Sequence, residues 1–220
     1  MSDHPAVLPS CSPAEEVASS ITHGVGVVLS IAGLALLVAW AAMHGDALAV
    51  ITAAIFGTTL VLVYTASTLY HAIPIAAARP TLRALDHVAI FLLIAGTYTP
   101  FTLLALPPAW GWSLFASIWM LAIAGSTMEF RRPRYGRKLA AAIYVAMGWI
   151  GIVAIIPLKA SLPTPGLVLL LAGGAAYTLG VPFYLLRRLR WHHPIWHVFV
   201  LAGSVLHYLA VLLYVMPQAS

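Results

Sequence analysis

Seven stretches of mainly apolar residues, at about 20–43, 48–72, 85–106, 110–130, 139–157, 165–186 and 194–216, divide the chain. Each reaches the roughly 20 residues that carry a helix across a bilayer. In hydrocarbon every backbone N–H and C=O needs a partner inside the protein, and a helix supplies its own. The fold class that follows is an all-α integral membrane protein, a seven-transmembrane helix bundle. Segments such as "HGD", "LPPAW" and "RRPRYGRK" join the stretches and are too short for an extra domain. Residues 1–15 read as a flexible cytoplasmic tail and 16–220 as the seven-transmembrane domain. Only 8% of residues are charged, against about a quarter in a soluble domain, which excludes a soluble enzyme.

The charged residues that remain set the topology. Arg79 and Arg83 follow the second stretch. Arg131, Arg132, Arg134, Arg137 and Lys138 follow the fourth, and Arg187, Arg188 and Arg190 the sixth. Ten of the eleven Lys and Arg thus fall on one face, and Lys159 alone on the other. The positive-inside rule assigns that face to the cytoplasm, with the N-terminus inside and the C-terminus outside. The net charge of +5 therefore reports topology and not nucleic-acid binding. The first twenty residues hold no Lys or Arg and so lack the basic segment of a cleaved signal peptide. The expected location is the cell inner (plasma) membrane, with several passes. The lone cysteine, Cys11, excludes an internal disulfide and any multi-cysteine metal site.

This orientation gives a depth to each polar residue. The second stretch ends in "STLYHAIP", with Ser67 and His71. The third begins "LDHVAIF", with Asp86 and His87. The seventh begins "WHHPIWHVF", with His192, His193 and His197. All lie at the cytoplasmic ends of their spans, and ionisable groups inside spans normally face the bundle and carry function. His193 and His197 are one helical turn apart on one face, and His71 can supply a third nitrogen. Three histidines with an open fourth position are the arrangement of catalytic zinc. Asp86 can contact a metal-bound water, and Ser67, one turn before His71, can support a ligand. His192 and His87 point about 100° off these faces and read as bystanders. His207, about 15 Å deeper at 1.5 Å per residue, belongs with Tyr64, Thr97 and Ser204 to a polar lining of the bundle or to interhelical hydrogen bonds. Glu129 is expected to pair with neighbouring arginines. His23, Glu15 and Glu16 have no role beyond capping the first span. Trp40, Trp110, Trp112, Trp191 and Trp196 read as interface anchors.

The pieces "EEVASSITHGVG", "STLYHAIP", "LDHVAIFLLIAGTYTPF" and "WHHPIWHVFVLAGSVLHY" together resemble the hemolysin III family, bacterial relatives of the adiponectin receptors within the progestin and adipoQ receptor superfamily. The resemblance covers nearly all of the chain from about residue 15. It implies seven spans, a cytoplasmic N-terminus and a zinc ion near the cytoplasmic side. Its serine-x3-histidine motif falls on Ser67 and His71, its aspartate on Asp86 and its histidine-x3-histidine motif on His193 and His197. In the receptor relatives three histidines hold the zinc and the aspartate acts through water. The superfamily looks like a set of metal-dependent membrane hydrolases related to alkaline ceramidases, whereas the family name records cytolysis.

Three functions follow. The first is a zinc-dependent hydrolase of a lipid amide or ester bond, with His71, His193 and His197 as metal ligands, Asp86 and Ser67 as catalytic groups and membrane lipids as substrate. The second is a non-enzymatic membrane regulator or sensor with a structural zinc. The third is a pore-forming cytolysin, to which the apolar outer halves of the spans give little support. The lipid and the oligomeric state are not legible.

Overall fold

The chain enters its first helix through a capping box. The computed structural model describes residues 12–131, 136–186 and 188–218. In it the Ser12 hydroxyl accepts the Glu15 N–H while Glu15 Oε2 accepts the Ser12 N–H, with Pro13 in the first turn. These contacts satisfy N–H groups that a helix start leaves unpaired. Helix α1 (Pro13–His44) therefore takes Glu15 and Glu16 into its first turn. Cys11, Arg132, Arg134 and Arg187 lie outside the described residues.

Asp46 starts α2 (Ala47–Ala72) by accepting the Ala49 N–H at 2.9 Å. Helix α3 (Arg79–Pro100) begins six residues before the expected 85, so Arg79 and Arg83 are helical. Pro100 cannot donate to the ladder, and α3 continues as one wide π turn over Phe101–Ala105. Helix α4 (Pro108–Arg131) follows. The fifth span is broken: α5 (Arg137–Trp149) passes through a 3₁₀ turn, Ile150–Ala154, into α6 (Ile155–Ser161). Helices α7 (Thr164–Leu185) and α8 (His192–Ala210) complete the bundle, α8 running on into a second π turn over Val211–Val215.

Seven spans result, as the apolar stretches predict, and every described element is helical. The protein is a seven-helix membrane protein. Helix α1 packs on α2 and α8, α2 on α3, α3 on α4, and α7 on α8. Side chains such as Val28 and Ile156 face outward, where lipid is their solvent. Burial of apolar area therefore gives little drive for helix association, and close packing at small residues replaces it. Gly26 sits against the Tyr64 ring and Gly57 against Leu34, so α1 and α2 approach where a larger side chain would collide.

The break in the fifth span is satisfied from α3. Tyr98 Oη donates to the carbonyls of Gly148 (2.8 Å) and Met147 (3.1 Å) and accepts the Gly151 N–H at 2.8 Å. Irregular backbone at membrane depth survives where the protein itself pairs it. Tyr98 also lines the internal cavity, so the same side chain shapes the space beside the break.

Candidate metal centre

Helix connectivity brings the end of α2 and the start of α8 to one end of the bundle, together with Arg79, Arg83, Arg131, Arg137, Arg188 and Arg190. There His71 of α2 meets His193 and His197 of α8. His193 Nε2 lies 3.1 Å from His71 Nε2 and 3.1 Å from His197 Nε2. One nitrogen from each of the three falls within 4.8 Å of the others, close enough to hold one metal ion. His71 and His197 are buried, and His193 is half-buried.

The far sides of the rings decide what the near sides can do. His71 Nδ1 is 2.6 Å from Glu16 Oε2, and His197 Nδ1 is 3.2 Å from the Ser19 carbonyl. Both partners accept and neither donates, so each Nδ1 carries the proton. In the neutral rings both Nε2 atoms are then bare lone pairs. His193 can give a proton to one of them and not to both. At least one lone pair in the convergent group lacks a donor, and a cation is what such a site accepts. Carboxylate and carbonyl partners that fix the tautomer of a ligating histidine are the usual support of metal sites. The residues therefore fit a metal whose ligands are nitrogen-rich.

Asp86, half-buried on α3, stands beside the cluster within electrostatic reach of His71, and Ser67 is within interaction range of its carboxylate. Ser67, Asp86 and the three histidines all line one cavity of about 210 Å³. A second cavity of about 90 Å³ continues it and shares Thr97, Tyr98, Gly148, Trp149, Gly174 and His207 as common lining. Beyond them the deeper space is bounded by apolar side chains including Phe101, Leu114 and Leu158.

The deeper polar residues divide between the two roles expected of them. Thr97 and His207 line the cavity. Ser204 shares a 2.7 Å interhelical hydrogen bond with Tyr177 of α7, whereas Tyr64 packs edge-on against His23. His207 Nε2 donates to the Leu170 carbonyl at 3.0 Å. Glu129 meets His87 of α3 at 3.0 Å, and His192 Nδ1 donates to the Phe183 carbonyl at 3.1 Å. Trp196 is no interface anchor: it turns inward against Tyr184 and lines the cavity.

Residues of α1 are the main omission of the sequence reading. Glu16 bonds His71 and also accepts Arg79 Nη2 at 3.0 Å. His23 stacks face to face on His197, with centroids 3.5 Å apart and planes 8° from parallel. Both His23 ring nitrogens are buried with no hydrogen-bond partner among the described residues. A signal was present. Glu16, Ser19 and His23 are spaced by three and four residues, which puts them on one face of a helix, and polar groups repeated on one face of an apolar span point inward.

The chain's sequence matches the family described as haemolysin-III related over residues 12–208. It is 46% identical to hemolysin-3 of Bacillus cereus, covering 94% of both chains. It is 42% identical to a hemolysin-3 homolog of Bacillus subtilis, over 91% of this chain and 94% of that one. The human monocyte to macrophage differentiation factor is 28% identical over 92% of this chain and 84% of its own.

Proposed function

The chain belongs to the haemolysin-III-related family, and from that premise we propose that it is a zinc-dependent hydrolase of an amide or ester bond in a membrane lipid. One observation carries this reading: three histidine nitrogens converge at the head of a cavity whose far end is apolar. A lipid has that polarity, with one cleavable polar bond and a long tail. Zinc held by His71, His193 and His197 would supply a Lewis acid and a water acidified toward neutral pH. Asp86 takes up a proton on its carboxylate and returns it to the leaving group. Ser67 orients that carboxylate, and the apolar lining excludes bulk water from the reacting bond. The metal end faces the cytoplasm of the inner membrane, because the arginines gather there.

A metal at these histidines would also join α2 to α8, helices far apart in sequence, which favours a second reading as a regulator stapled by structural zinc. Cytolysis, named for the relatives, has less support, since the apolar deep cavity suits an acyl chain better than an ion path. The experiment is elemental analysis of protein purified in lipid nanodiscs, followed by detection of fatty acid released from lipid amides and esters. Near one zinc per chain, lost in His193→Ala, with release that follows zinc content, supports the hydrolase. Zinc without release across both lipid classes leaves the staple, and no metal removes both.

A further inference from the structure

We propose that Glu15 and Glu16, neither of them a ligand, are the positioning residues that assemble the histidine cluster from the first turn of α1. The inference rests on reading that cluster as a metal site. Its nitrogens come from α2 and α8, and His71 and His193 are 122 residues apart. Something outside both helices must hold their ends in register, and α1 does so with two consecutive carboxylates.

Glu15 holds α8. Trp191, the residue that starts that helix, has φ 62 and ψ 16, the left-handed region that a bulky side chain rarely enters. Its N–H donates to Glu15 Oε1 at 2.6 Å, a charge-assisted bond that compensates such a conformation. The other oxygen of Glu15 is fixed by the Ser12 N–H at 2.7 Å, so the carboxylate is clamped before it grips Trp191. His193 and His197 then follow on a helix whose starting point is set by α1.

Glu16 holds α2. Its Oε2 accepts from His71 Nδ1 at 2.6 Å and its Oε1 from Arg79 Nη2 at 3.0 Å. The guanidinium orients the carboxylate, and the carboxylate fixes both ring rotation and tautomer of His71. That leaves His71 Nε2 bare and aimed at His193. Adjacent residues on α1 thus each fix one ligand-bearing helix, one through the backbone and one through the ring.

The test compares wild type with Glu15→Gln, Glu16→Gln, Arg79→Gln and His193→Ala in nanodiscs. Zinc affinity is read by competition with a chromophoric chelator, and the visible spectrum is read after cobalt(II) loading. Glu16→Gln is expected to bind zinc about 10–100-fold more weakly and to shift the cobalt spectrum, because ring basicity changes. Arg79→Gln leaves both carboxylates in place and gives a smaller loss with the same sense of spectral shift. Glu15→Gln weakens affinity without moving the spectrum of the loaded protein, since it acts on backbone position. Wild-type affinity and spectrum in all three variants, while His193→Ala fails to load, overturn the clamp and leave the metal site standing. A wild type that binds neither zinc nor cobalt removes the metal reading and the clamp with it.

Discussion

His71 and His193 bring their Nε2 atoms to 3.1 Å across 122 residues of sequence, and the Glu16 carboxylate on the far side of His71 draws that ring's proton to Nδ1 and away from the contact. A cation relieves this crowding of lone pairs, so metal should bind the folded state selectively. A ligand at 100 times its dissociation constant stabilises the state it binds by about 2.7 kcal/mol. Melting in detergent with excess zinc should therefore exceed melting after stripping by a strong chelator, and His197→Ala should abolish the difference. Equal melting temperatures with and without zinc would count against a metal at this position.

Asp86 and the histidines sit at one cavity head, yet Asp86 is outside the group of nitrogens that can share an ion. Removing it should spare the metal and harm the chemistry. Asp86→Asn is expected to retain wild-type zinc content while lipid hydrolysis falls about 10²–10⁴-fold, the usual contribution of a positioned proton carrier. Loss of zinc in this variant would instead make Asp86 a ligand.

How much of this was readable follows from what each signal depends on. Span number and the His193/His197 pair rest on local spacing, and the structure reproduces both. His71 was placed by depth alone, since it ends one span while the pair begins another. Depth and helical spacing do not fix which neighbour a side chain meets, however. Ser204 makes an interhelical hydrogen bond to Tyr177, one of its two expected roles, but Tyr64 turns to His23 and Trp196 turns inward where an anchor was expected. Helix rotation is set by packing of partners distant in sequence. Glu16 was missed because an acidic first turn already has a local explanation as a cap, which hides its second role.

Tyr98 replaces the hydrogen bonds lost where the fifth span breaks. Tyr98→Phe keeps the ring and removes one hydroxyl, leaving the Gly151 N–H unpaired at membrane depth. Such an orphan costs about 1–3 kcal/mol. Unfolding of the variant in mixed micelles should show a loss of that size, with zinc content unchanged. A variant as stable as wild type would mean that the 3₁₀ turn rewinds into a continuous helix.

Gly174 stands at the junction of the two cavities, and the nearest atoms a Cβ there would meet belong to the Trp149 ring, at 3.5 Å. Ordinary contact at that distance makes Gly174→Ala tolerable. Gly174→Leu adds branches beside the Trp149 ring, where the two cavities meet. If an acyl tail threads from the histidines into the apolar end, Leu should block long chains and spare short ones. The measurement is hydrolysis of a chain-length series by wild type, Gly174→Ala and Gly174→Leu, each checked for full zinc content. A selective fall with long chains in the Leu variant is expected. An equal effect at every length would place the tail outside this passage, on the lipid-facing side of the bundle.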